Sequence, residues 1–122
     1  MIKLVYCIRR NPDKTAEEFH RYWLESHGPL VRSLAADIGA TRYVQSHTTA
    51  PELNAVLAAS RGSGEPFDGI TEVWWDSVEQ MTASLSTEAS QAAQRRLVED
   101  EATFIDFANS TVFMTQEHTI FE

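Results

Sequence analysis

The chain has 122 residues, of which 43% are hydrophobic and 23% are charged, and its formal net charge is -8. This composition is typical of one globular domain with a hydrophobic core, which we expect over residues 1–122. The acidic balance and the lack of clustered lysine and arginine argue against a nucleic-acid partner. No apolar run approaches membrane-spanning length and no signal peptide is recognisable, so we expect a cytoplasmic protein without a membrane partner.

Hydrophobic periodicity and turn residues divide the chain into strands and helices. In chain order, the predicted elements are a strand over residues 2–9, a helix over 15–27, a helical run over 30–38, a strand over 41–49, a short helix over 51–60, a strand over 70–75, helices over 77–85 and 87–101, and a strand over 111–121. The long connection over residues 60–69 is a candidate for a functional loop.

Short sequence signals define the ends of the helical segment in the first third of the chain. Thr15, followed three residues later by Glu18, is a capping box that predicts the start of a helix. Gly28 and Pro29 are typical of a helix end, so we expect the first helix to stop there and a second run to follow. Gly39 ends that second run.

The element order β-α-β-β-α-β predicts an α+β fold, the ferredoxin-like split βαβ arrangement with a four-stranded antiparallel sheet. Its helices cover one face of the sheet. The other face also carries large apolar side chains, among them Ile70 and Trp74, which cannot all remain in water. A second copy of the same sheet is the simplest cover, so we predict a symmetric homodimer through the open sheet face.

A helical wheel of the first helix places an imidazole on the packing face. At about 100° per residue, Phe19, Trp23, His27 and Leu30 fall on one side of the helix. One interpretation is a core histidine that bonds a backbone carbonyl. The other is an acid/base group at the mouth of a cavity, because the pKa of imidazole lies near neutrality and is easily retuned.

Other polar residues are candidates for the same site. Tyr43 and His47 share one face of the second strand, so a phenol and a second imidazole could join His27 if that face meets the helices. Asp68, where the loop enters the third strand, is either a turn residue or a carboxylate that orients a histidine. The histidines lack metal-ligand spacing and the single cysteine excludes a cysteine-based zinc site, so we expect no metal.

Three segments together resemble one known family. They are Phe19-x-x-Tyr22-Trp23-x-x-x-His27-Gly28-Pro29-Leu30, Phe67-Asp68-Gly69-Ile70-x-Glu72-x-Trp74-Trp75 and Asp100-Glu101-x-x-Phe104-Ile105-Asp106. Their order and content are similar to the EthD family, within the dimeric α+β barrel superfamily. The resemblance implies a ferredoxin-like subunit with a pocket between its sheet and its helices, and a partner subunit packed on the sheet.

The resemblance also implies a range of activities. EthD itself is linked to bacterial ether degradation, and its relatives include a methylmuconolactone isomerase and enzymes that dehydrate, decarboxylate or oxidise aromatic polyketides, generally without metal or organic cofactor. His27 aligns with the site histidine of the isomerase, whereas the isomerase cysteine falls at Val73. If position 73 faces the pocket, Thr71 and Trp75 do so too, and Glu72 and Trp74 face the partner.

We therefore expect a cofactor-independent enzyme that uses His27, with Tyr43, His47 and Asp68 as candidate partners, for proton transfer. The expected substrate is a hydrophobic, aromatic or cyclic oxygenated molecule that undergoes dehydration, decarboxylation or isomerisation. The candidate substrate-binding residues are Phe19, Trp23, Thr71, Val73, Trp75 and Phe104, with core packing as the alternative role for the aromatic ones. The rival functions are a cofactor-free monooxygenase of phenols and a non-catalytic ligand-binding protein.

Overall fold

The computed structural model describes all 122 residues. The elements in chain order are β1 (Ile2–Ile8), α1 (Ala16–Tyr22), a π-helical turn (Trp23–His27), α2 (Gly28–Ile38), β2 (Arg42–His47), α3 (Pro51–Arg61), β3 (Gly69–Trp75), α4 (Val78–Leu85), α5 (Glu88–Glu101), a short 3-10 turn (Phe107–Asn109) and β4 (Thr111–Thr115). None of the helices combines the length and the apolar character that crossing a membrane requires.

The four strands form one antiparallel sheet in the order β2-β3-β1-β4. This arrangement confirms the predicted ferredoxin-like α+β fold. The last strand is shorter than predicted, because β4 ends at Thr115 instead of reaching residue 121. Thr115 pairs with Lys3, and β1 begins only one residue earlier, at Ile2, so no strand remains for a longer β4 to pair with.

The first helix begins as predicted. The Thr15 hydroxyl accepts from the Glu18 N–H, and the Glu18 carboxylate accepts from the Thr15 N–H, which completes the capping box. These two hydrogen bonds satisfy two N–H groups that would otherwise lack a partner at the helix start.

The prediction that Gly28 and Pro29 stop this helix is wrong. The backbone passes through Gly28 with helical angles, φ -54° and ψ -52°, and α2 follows directly. The Gly28 N–H donates to the Trp23 carbonyl, five residues back, so the turn before the proline is π-helical. A regular α-helix would drive the Pro29 ring into the carbonyl four residues earlier, and the wider π turn accommodates the proline at the start of α2.

The extra residue in the π turn also shifts the buried face of α2. The wheel at a constant 100° per residue puts Leu30 on the packing face. In the structure Leu30 is only partly buried, and the fully buried position is its neighbour Val31. The helix ends as predicted at Gly39, whose φ of +70° is the left-handed conformation that glycine adopts without strain.

A compact cluster of buried side chains anchors α1 to the sheet. It consists of Ile8, Phe19, Trp23, Phe104 and Ile105. The Trp23 ring lies against the backbone of β3, where a Cβ built on Gly69 would come within 2.4 Å of the ring. A glycine at this position is therefore needed for the indole to pack so closely.

The two faces of the sheet have different surroundings. Alternate residues of β3 point to opposite faces, and Thr71, Val73 and Trp75 point toward the helices. On the opposite face, which we call the open face, a cross-strand row of Val44, Glu72, Val5 and Phe113 runs over all four strands. No helix packs on this face, and 47% of Phe113 is exposed.

Candidate active site

A cavity of about 510 Å³ lies between the sheet and the helices. Of its 21 lining residues, 16 are hydrophobic, so a ligand inside it would be largely removed from water. All four strands contribute side chains to the floor of the cavity, and the π turn, α2, α4 and α5 form its walls and roof. This volume lies within the range of about 300–1,000 Å³ that is typical of small-molecule sites.

His27 is the imidazole that lines this cavity. The π turn places it on the inner side of the helix, where only 5% of the residue is exposed. Its Nδ1 lies 2.7 Å from Oδ2 of Asp100, in the last turn of α5. A bond between groups 73 residues apart in the chain connects the π turn to α5 at the edge of the cavity.

Asp100 is the partner that sequence reasoning missed. Asp100 belongs to an acidic run with Glu101 and Asp106, and such a run is usually solvated, but only 7% of Asp100 is exposed. A second hydrogen bond reaches its other carboxylate oxygen from the Tyr22 hydroxyl. The spacing of Ala93, Leu97 and Asp100 puts the carboxylate on the apolar side of α5, which indicates burial but not its partner.

The protonation states of this pair follow from burial and hydrogen bonding. Burial lowers the pKa of His27, and the bond to Asp100 only partly opposes this effect, so the ring is neutral at neutral pH. Burial acts to raise the pKa of Asp100, but hydrogen bonds from Tyr22 and His27 outweigh it and the pKa is lowered. An ionised Asp100 accepts a hydrogen bond from the Nδ1–H of His27, so the Nε2 atom carries a free lone pair.

Glu101 is a second carboxyl at the cavity, and it behaves differently from Asp100. Its side chain lines the cavity, where burial raises its pKa to about 7. Contact with the Tyr6 hydroxyl acts to lower the pKa of Glu101, and the negative charge of Asp100 acts to raise it further. Near neutral pH the site therefore combines a neutral imidazole with a carboxyl group that is partly protonated.

Tyr43 and the predicted positions of β3 also face the cavity. Thr71, Val73 and Trp75 line its floor beside Tyr43. The Tyr43 hydroxyl accepts a hydrogen bond from Nε2 of Gln45, 2.9 Å away, and burial raises the pKa of the phenol, so it stays protonated. Its proton is free to be donated to a ligand.

The predicted aromatic wall residues divide into two groups. Trp23 lines the cavity, whereas Phe19 and Phe104 are fully buried beneath it and do not line it. Phe104 packs with its ring centroid 5.1 Å from that of His27. It therefore contacts the imidazole from the core side and restricts the orientation of the ring.

His47 and Asp68 lie outside the cavity. The His47 ring stacks on Trp23 with a centroid distance of 4.4 Å and an interplanar angle of 14°, and its Nε2 donates to Oε1 of Gln45. Asp68 accepts from the backbone N–H of Arg10 at 2.9 Å and forms an ion pair with the Arg10 side chain. The structure thus brings together His27 and Tyr43 but not the other two predicted catalytic residues.

The connection between α3 and β3 is tied to the neighbouring backbone. The Arg9 guanidinium donates to the carbonyl oxygens of Pro66 and Glu65, and lies 4.3 Å from the centroid of the Phe67 ring. No residue of this connection lines the cavity. No group of three or more His, Cys, Asp or Glu side chains is arranged to hold a metal ion.

The fold and the site define a ferredoxin-like α+β domain with an apolar cavity and a buried histidine–aspartate pair. The EthD domain model matches residues 11–108 of this sequence. The chain therefore belongs to the EthD domain family, as its sequence motifs predicted. No curated protein sequence matches it significantly.

Solved structures support the fold assignment. An ethyl tert-butyl ether D (EthD) family protein from Bacillus halodurans C-125 superposes with a TM-score of 0.62 at 18% identity, covering 97% of this chain and 99% of that one. A dimeric protein of unknown function and ferredoxin-like fold from Bacteroides fragilis gives 0.58 at 13% identity, covering 95% of each chain. SnoaB, a cofactor-independent oxygenase from Streptomyces nogalater, gives 0.56 at 11% identity, covering 99% and 97%. Identities this low show a common fold and no more.

Proposed function

We propose that this protein is a cofactor-independent enzyme in which His27 acts as a general base on a hydrophobic, cyclic or aromatic oxygenated molecule. The observation that carries the proposal is the buried His27–Asp100 pair, whose free imidazole nitrogen belongs to a residue lining an apolar cavity. A neutral imidazole with an ionised carboxylate behind it is the arrangement that general-base catalysis needs.

The chemistry starts with proton transfer. Nε2 of His27 takes a proton from the substrate, and the Asp100 carboxylate stabilises the imidazolium that forms. The Tyr43 hydroxyl, on the cavity floor, is placed to donate a hydrogen bond to a substrate oxygen on which negative charge develops. Dehydration, decarboxylation and isomerisation each require a positioned base of this kind in a site with little water.

The remaining polar residues serve as supports in this proposal. His47 stacks on Trp23 and bonds Gln45, whose Nε2 in turn donates to both the Trp23 carbonyl and Tyr43. Gln45 thus connects the cavity floor to the π turn, and His47 holds Gln45. Asp68 fixes the backbone at Arg10, at the end of β1. Both act as positioning residues.

We also propose that the protein is a homodimer whose subunits meet through the open face. The row of Val44, Val5 and Phe113 is apolar and uncovered, and Ile70 beside it is 37% exposed. A second copy of the same surface would bury these side chains with two-fold symmetry. Glu72, the charged member of the row, is already paired with Lys3, so it brings no unpaired charge into the interface.

The role of His27 as a general base can be tested without knowing the natural substrate. Cyclic and aromatic ketones, such as 2-tetralone, are incubated in D2O with the protein, and loss of their α-protons is followed by NMR. We expect His27→Gln to slow the enzyme-dependent exchange by about 100-fold or more, the usual contribution of a general base. The control is His118→Gln, which removes a histidine outside the cavity. Exchange by His27→Gln at the wild-type rate would overturn the proposal.

A cofactor-free monooxygenase is the second candidate, because the same base could deprotonate a phenol and SnoaB is a cofactor-independent oxygenase of the same fold. Oxygen consumption with naphthols or anthrols, abolished in His27→Gln, would establish this activity. Stoichiometric binding of such phenols with neither oxygen consumption nor proton exchange would identify a ligand-binding protein instead.

A further inference from the structure

The charged groups around the cavity are all acidic. No lysine or arginine is among its lining residues, and the one carboxyl group among them is that of Glu101. Asp100 is directly behind His27. The arginine whose charge reaches this pair, Arg96, is exposed on the outside of α5. An anionic ligand would therefore enter an apolar space without a counter-charge and beside carboxylates.

Two phenols of the cavity, Tyr6 and Tyr43, interact with Glu101. Tyr6 and Thr71 are cross-strand neighbours on the cavity floor, and the Tyr6 hydroxyl interacts with Glu101 from below. Four residues further along β3, Trp75 donates its indole N–H to the carbonyl of Ile38, and both residues line an apolar end. A ligand would thus place its oxygen near Glu101 and its hydrocarbon part toward Trp75.

We propose that the cavity selects uncharged molecules over carboxylates, and that Glu101, in its protonated form, donates a hydrogen bond to a carbonyl or hydroxyl oxygen of the bound molecule. This inference deepens the proposed function and depends on it only for the location of the site. A substrate for decarboxylation enters as a carboxylate, so the proposal favours dehydration or isomerisation of neutral compounds over decarboxylation.

A pair of probes of equal size tests the charge selectivity. The ketone 2-acetylnaphthalene and the anion 2-naphthoate share one ring system and one carbonyl group and differ in charge. At pH 6, we expect calorimetry to show that the ketone binds about tenfold or more tightly than the carboxylate, because the carboxylate must lose its hydration without gaining an ion pair. Equal or tighter binding of 2-naphthoate, or no binding of the ketone at millimolar concentration, would overturn the proposal.

The role of Glu101 is tested by pH. The groups that face it are Tyr6 from β1, Tyr43 from β2, Asp100 on α5 and His27 in the π turn. Between pH 6 and 8.5, Glu101 loses its proton, and we expect ketone affinity to fall about tenfold in the wild type. In Glu101→Gln, whose amide stays a donor, this fall should disappear. The same pH dependence in both proteins would overturn the assignment to Glu101.

The outcomes also separate this inference from the proposed function. Selective binding of the ketone by a protein that does not accelerate α-proton exchange would retain the charge selectivity and reject general-base catalysis. If α-proton exchange depends on His27 but the two probes bind equally, general-base catalysis would be retained and the charge selectivity rejected. Binding to His118→Gln provides the matched control, because this histidine does not line the cavity and the variant should keep its preference for the ketone.

Discussion

The two faces of the sheet are built from the same strands, but they differ in which other elements contribute residues to them. On β3, Thr71 and Val73 face the cavity, and Ile70 and Glu72 face outward. The open face consists of strand residues and of Glu117 just beyond β4, which accepts from the Trp74 indole. The covered face becomes a site only when the π turn adds His27 and α5 adds Asp100. The strands therefore supply a surface for assembly directly, whereas the chemistry requires helices brought in from distant parts of the chain.

The largest effect should come from separating His27 from its carboxylate. In Asp100→Asn one carboxylate oxygen becomes an NH2 donor, so the single amide oxygen cannot accept from both Tyr22 and His27, and the charge behind the imidazole is lost. We expect ketone α-proton exchange to fall by about 100-fold or more. NMR of the ring nitrogens should show that Nδ1 is no longer held as the protonated atom. Glu99→Gln, an exposed carboxyl on the same helix, is the control. Full activity of Asp100→Asn would mean that the pair is structural only.

The proposed dimer interface on the open face can be tested by introducing a charge into its apolar row. Phe113→Asp would place two unpaired carboxylates into a two-fold interface, and we expect the dimer to dissociate about 100-fold more readily. Sedimentation velocity over a range of concentrations measures the change. Leu53→Asp adds the same charge at an exposed position of α3 and should leave assembly unchanged. A Phe113→Asp protein that sediments like the wild type would place the interface elsewhere.

Glu101, on the covered face, should make the free energy of unfolding depend on pH. The pKa of Glu101 is raised to about 7 in the folded protein, so this group favours folding at low pH and loses that contribution as the pH rises from about 4.5 to 7. We expect a loss of up to roughly 3 kcal/mol in the free energy of unfolding. In Glu101→Gln this component should vanish, as measured by urea denaturation at pH 4.5 and 8. Glu99→Gln should follow the wild type.

The smallest effect concerns the contact of Trp23 with the sheet. A Cβ at Gly69 would lie 2.4 Å from the indole ring, so Gly69→Ala must displace a fully buried side chain. We expect a loss of about 1–3 kcal/mol in the free energy of unfolding. Gly64→Ala, where no atom lies within 4 Å of the added Cβ, is the matched control. Equal stability of the two variants would show that the indole can move at little cost.

Features that depend on local pattern could be predicted from the sequence. Alternation identified the strands and grouped Thr71, Val73 and Trp75 on one face, because side chains in a strand alternate without reference to the rest of the chain. That this face meets the cavity was implied only by the family resemblance at position 73. The capping box at Thr15 and the glycine end at Gly39 are likewise complete within a few residues.

Features that depend on contacts between distant parts of the chain could not be predicted from the sequence. Nothing near Asp100 in the sequence indicates that its carboxylate meets an imidazole 73 residues earlier, and an acidic run is usually solvated. The raised pKa of Glu101 follows from apolar neighbours on other elements. The exclusion of His47 from the cavity follows from its stacking on Trp23, which strand parity alone does not reveal.

The π turn has a consequence for how the cavity could change over evolution. At about 100° per residue, an unbroken α-helix from Phe19 would point Val31 and Ile38 roughly a quarter turn or more away from it. One surplus residue returns them to the same side, and both are buried. A one-residue deletion between Trp23 and His27 would therefore restore a regular α-helix and leave Val31 and Ile38 on the cavity side. A one-residue deletion inside α2 would instead rotate the residues that follow it by about 100° and change the roof of the cavity while the floor stays intact.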